Sequence, residues 1–130
     1  MDDTAFLHER IESYAGYTND IDRQRSDEQI RAYVGEALTR LRERLHPQGA
    51  AGEALERLLV RCEFADQGVA HAFDAVNVGA DEIAATAAAD RELVRLADRA
   101  NDVDAAQAGS LFAQIAAAFD RRWQTAGAPP

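Results

Sequence analysis

The chain contains no lysine: its fourteen basic residues are all arginine, which excludes Schiff-base and other lysine chemistry and points to codon bias rather than functional choice. Cysteine occurs once, as Cys62, so there is no internal disulfide and no cysteine-based zinc site. Of the three prolines, two are the last two residues and the third is Pro47, so little interrupts a helix. No apolar run approaches the roughly 20 residues needed to span a bilayer. A glycine-rich phosphate loop, a nucleophile elbow and a His-Glu-x-x-His motif are all lacking. A carboxylate-bridged di-metal bundle needs two Glu-x-x-His pairs and two further inward glutamates, which the sequence does not supply. The reading is therefore of no metal, no cofactor and no catalytic constellation.

What is present is ordinary for one globular domain: 130 residues, 47% of them hydrophobic, much of that share alanine. Alanine in quantity implies close-packed helices. The net charge of −9 disfavours nucleic-acid phosphates and anionic membrane surfaces as partners. The start, Met1-Asp2-Asp3-Thr4, is acidic where a secretory signal would be basic and then apolar, so a cytoplasmic protein is expected.

Period-3.6 apolar spacing recurs and no segment alternates with period two. Phe6, Leu7, Ile11 and Tyr14 predict a short helix from about Asp3 to Tyr14, followed by a polar connection over Gly16 to Arg25. Ser26-Asp27-Glu28-Gln29 reads as a capping box opening a second helix that His46-Pro47 ends. A third, unusually long helix is expected from about Glu53 to Asn77, and a fourth from about Asp81 to Ala100. The last opens at Asp104, with Gln107 three residues on, and frays over Gly127-Ala128-Pro129-Pro130. Short connections make neighbours antiparallel. The predicted fold is all-α, an up-and-down antiparallel bundle of four long helices with a short N-terminal helix. Its core should include Leu41, Leu59, Val69, Phe73, Val94, Phe112, Ile115 and Phe119.

Three features stand out on helical wheels. Asp66 falls within the apolar stripe of the third helix, beside Cys62, and Asp90 within that of the fourth. An antiparallel hairpin would bring the two carboxylates to one depth, where a dry core raises one pKa and suits ligand or cation binding. The structural reading is that Asp90 caps a helix restarting after Ala89, and that Asp66 pairs with an arginine such as Arg10. Second, Val60 and Phe64, with His71 near the same line, project away from the core stripe. They form a patch for the N-terminal segment, another protein or a second copy of the chain to cover. Third, residues 40–61 carry a local balance of +2 while the remainder carries −11. Arg40, Arg44, Arg57 and Arg61 gathered at one end would complement a helix's negative pole, or dock an anion or an acidic partner. Two functions follow: a non-enzymatic protein-interaction or regulatory module, or a bundle holding a small ligand or cation between Asp66 and Asp90.

Overall fold

Five helices occur among the described residues, 2–64 and 79–125, of the computed structural model: α1 (Asp3–Arg10), α2 (Asp20–Leu45), α3 (Gly49–Glu63), α4 (Ala80–Arg99) and α5 (Ala105–Thr125). No strand accompanies them among those residues. The short leading helix and four longer packed ones are the bundle the sequence predicts.

The helix ends show which local signals win. α2 starts six residues before the expected Ser26. Asn19 caps it, its side chain accepting from the Asp22 amide at 2.9 Å, and Asp20 and Asp22 place negative charge at the positive end of the helix dipole. Ser26 is instead buried within the helix, donating its hydroxyl to the Gly16 carbonyl at 2.8 Å. α1 stops at Arg10, so Tyr14 lies beyond it. His46, in the left-handed region at φ 46°, closes α2 before Pro47. The first turn of α3 demands glycine at Gly52, where a Cβ would meet the Pro47 carbonyl oxygen at 2.7 Å. α3 ends at Glu63, with Phe64 already extended (φ −101°, ψ 125°), so the single helix expected to reach Asn77 is cut short. Asp66, Val69, His71 and Phe73 lie outside the described residues. α4 runs unbroken through Asp90, which restarts nothing. α5 opens on the expected box: the Asp104 amide donates to Gln107 Oε1 at 3.1 Å and the Gln107 amide to Asp104 Oδ1 at 2.9 Å.

Cross-helix contacts fix the topology. Arg42 pairs with Glu56 and Arg31 reaches the Cys62 carbonyl, so α2 and α3 are antiparallel. Arg99 meets Gln114, Asp90 meets Arg122 and Thr86 meets Thr125, so α4 and α5 are too. The two hairpins pack side by side, α2 against α4 and α3 against α5. α1 lies along α4 in the same direction, Asp3 meeting Arg91 and Arg10 meeting Asp98. Leu41, Val94, Phe112, Ile115 and Phe119 are buried as expected. On α3 the buried stripe is Leu55, Leu58 and Cys62, and Leu59 is only partly covered.

Candidate functional site: a sealed charge cluster and the groove beside it

Asp90 sits in the core, fully buried, but its partners are not those expected. Arg122, in the last turns of α5, donates from Nε to Asp90 Oδ1 at 2.5 Å. Tyr14 and Tyr17, from the segment between α1 and α2, donate their hydroxyls to Asp90 Oδ2 at 2.8 and 2.6 Å. Every one of these partners donates to the carboxylate and favours its charged form against the cost of burial. Arg122 also donates from Nη2 to the Tyr17 hydroxyl at 2.9 Å and pairs through Nη1 with Asp27 Oδ1 of α2 at 3.0 Å. Asp27 Oδ2 in turn accepts from Arg31 Nε at 3.0 Å, and Arg31 Nη1 donates to the Cys62 carbonyl at 3.1 Å. A continuous polar chain thus crosses the bundle from the N-terminal segment to the end of α3. Its two aspartates and two arginines balance.

Burial pushes the Asp90 carboxyl upward, and Arg122, Tyr17 and Tyr14 draw it back without cancelling the rise. Burial works against the Arg122 charge, yet Asp90, Tyr17 and Asp27 outweigh it and hold the guanidinium well above its usual value. Burial, with the Asp90 charge, also raises Tyr14. Tyr17 rises too, chiefly through burial, with Arg122 opposing. The Asp90 oxygens are engaged by the chain's own donors, and Arg122, Tyr14 and Tyr17 are all at most 1% exposed. What this arrangement can do is hold the interior together. Arg10, the suggested partner of Asp66, is committed to Asp98 at 2.8 Å and lies over the Phe6 ring.

Sequence reasoning found Asp90 and missed the rest. Arg122 was findable, because it continues the spacing of Ala108, Phe112, Ile115 and Phe119. Asp27 was obscured by starting α2 too late. Tyr14 carried a helical spacing with Leu7 and Ile11 but lies beyond the end of α1, and Tyr17 lies outside any helix.

The expected arginine patch does not assemble. Arg44 donates to the carbonyls of Ala100 and Val103, both at 2.8 Å, closing the C-terminal end of α4. Arg61, at the far end of α3 from the α2–α3 turn, pairs with Asp120 at 2.9 Å and covers the Phe119 ring. Arg57 is exposed on α3, one turn before Arg61. Cys62 is buried, and burial pushes its thiol up to about 12. No three metal-ligating side chains cluster among the described residues.

The outer face of α2 and α3 is different in kind. α1 packs on α4 rather than over α3, and Val60 and Phe64 remain 50% and 51% exposed. Beside Val60 runs an open groove of about 660 Å³ between α2 and α3. Ala32, Gly35, Leu59 and Cys62 line its apolar part, and Arg40, Arg42, Glu36 and Glu63 its edges. Arg31, the last member of the buried polar chain, also lines it.

No protein-family model matches the chain, and neither does any curated protein or any solved structure.

Proposed function

We propose that the chain is a non-enzymatic, cytoplasmic helical module that works by binding protein on the outer face of α2 and α3. The observation that carries this reading is the pairing of two half-exposed large apolar side chains, Val60 and Phe64, with an apolar-floored groove. A phenylalanine buries roughly 150–250 Å² when covered, and at about 25 cal/mol per Å² that surface is a substantial driving force for association. The interior supports the reading from the other side. Its charges are spent on one another, and Arg31, which borders the groove, is itself paired with Asp27. Among the described residues no helix is long and apolar enough to cross a membrane. The net charge of −9 argues against a nucleic-acid partner.

The test is a photo-crosslinking amino acid at position 64 in the cells that make the protein, with Ala113 on the exposed face of α5 as control. A discrete adduct at 64, absent at 113 and lost on Val60→Glu with helicity unchanged, is the expected result. No adduct at 64, or equal adducts at both positions, ends the reading.

A further inference from the structure

We infer that the occupant of the α2–α3 groove is a second copy of this chain, docked across a two-fold axis standing perpendicular to the groove near Thr39 and Leu59. The inference rests on the protein-binding reading above and gives that face its partner. Its basis is how charge is laid out along the groove.

At one end, where α3 finishes, stand Glu36 and Glu63; towards the α2–α3 turn stand Arg40 and Arg42, the latter paired with Glu56 at 3.2 Å. Glu36 and Arg42 are six residues apart on one helix, about 9 Å along its axis at roughly 1.5 Å per residue. Negative charge therefore lies at one end and net positive charge at the other. A two-fold rotation about the midpoint exchanges the ends, so the glutamates of each copy meet the arginines of the other, and the contact occurs twice. No parallel, translated pairing achieves this, because it sets like ends together.

The charge of the whole chain points to the same face. At −9, two copies repel over most of their surfaces. Setting aside Arg31, which Asp27 already balances, the groove lining holds two arginines and three glutamates, a balance of −1 against −9 for the whole chain, so a second copy approaches there at low electrostatic cost. Ala32 and Gly35 keep its floor low, and Leu59 and Val60 supply apolar surface beside the axis. The backing is firm: Arg31 ties α2 to the last turn of α3 through the Cys62 carbonyl, so the groove walls hold their spacing without a partner.

Sedimentation of the full chain up to about 100 µM should show a dimer, an affinity range in which moderate interfaces are readily seen. Charge reversal reads out the register. Glu36→Arg alone should weaken the dimer by roughly tenfold or more, since like charges then face each other twice, and adding Arg42→Glu, at the position that the axis near Thr39 sets opposite residue 36, should restore most of the loss. Thr39→Cys should give a disulfide-linked species of twice the chain mass under mild oxidation, because residues near a two-fold axis meet their own copies. The native Cys62 is buried and its thiol is held protonated, so it does not compete. A chain that stays monomeric overturns the inference, as does a dimer indifferent to both reversals and unlinked through position 39. The crosslink at position 64 separates the two levels. An adduct of another mass on a monomeric chain removes the second copy and leaves the protein-binding reading standing, whereas no adduct at all removes both.

Discussion

Asp90→Asn is the most informative single change in the core. In the native chain Asp90 Oδ1 accepts from Arg122 and Oδ2 from two tyrosine hydroxyls, all within a fully buried site. Asparagine keeps the shape but offers one oxygen and one amide group. If the oxygen faces the tyrosines, the amide donor faces the Arg122 donor; if it faces Arg122, the tyrosine hydroxyls lose their acceptor. Either way Arg122 keeps only Asp27 as a counter-ion, and the cluster gains a net positive charge in the core. Breaking a buried pair from one side costs about 3–5 kcal/mol, a large part of the roughly 5–15 kcal/mol that holds a domain folded. Urea unfolding followed by circular dichroism measures this directly. The same logic predicts non-additivity. Asp90→Asn with Arg122→Met leaves only the balanced Asp27–Arg31 pair, so the double variant should lose about 1–3 kcal/mol less than the two singles added together. A loss under about 1 kcal/mol for Asp90→Asn, or an additive cycle, would mean that the cluster is not a unit and the reasoning fails.

The three tyrosines make a pH prediction. Tyr33, beside Asp98, is pushed up from 10 to about 12, chiefly by burial, and Tyr14 and Tyr17 are raised as well. Folded values above the unfolded one mean stability that is fully present below pH 10 and lost as pH rises towards 12 and beyond. Tyrosinate absorbance should therefore rise together with loss of helicity, and ionisation near pH 10 in a still-helical protein contradicts it. Phe112→Ala and Phe119→Ala should each cost on the order of 3–5 kcal/mol in the same urea assay, and near-zero loss at both refutes their core placement. Gly109, exposed within α5 with nothing near a Cβ, should gain about 0.5–1 kcal/mol on change to alanine, whereas a loss there points to packing that the structure does not contain.

Fold class was legible because it depends on a signal repeated many times. Ile30, Val34, Ala37 and Leu41 on α2, and Ala108, Phe112, Ile115 and Phe119 on α5, each restate the helical period. Helix ends were less legible because each is settled by a single competition. Ser26 and Gln29 have the spacing of a box, but Asn19 caps the helix earlier, with Asp20 and Asp22 at its positive end, and Ser26 found the Gly16 carbonyl instead. The centre of the bundle was half legible for another reason. A lone acid in an apolar stripe announces that a partner exists, but the wheel of one helix cannot say which helix supplies it. The partners of Asp90 come from α5 and from the non-helical connection between α1 and α2.

The position of those partners answers a difficulty that the composition creates. α4 and α5 are rich in alanine, but the faces they bury are mixed, Leu93, Val94, Leu96 and Ala97 on α4 and Ala108, Leu111, Phe112, Ile115, Ala118 and Phe119 on α5, and apolar burial of this kind carries little direction. Sliding α5 along α4 by one residue turns each side chain by about 100° around the helix. For an alanine that costs little. For Arg122 it removes the guanidinium from Asp90 and Asp27 while leaving it desolvated, an expense of several kcal/mol. A misfit register is thus penalised by this cluster in addition to the apolar packing it disturbs. The same chain of contacts runs on through Arg31 to the Cys62 carbonyl, so the register of α4 and α5 and the spacing of α2 and α3 are fixed by one set of directed bonds. The groove on the outer face is therefore presented in one shape, with its glutamates and arginines at fixed separation, which a charge-patterned contact requires.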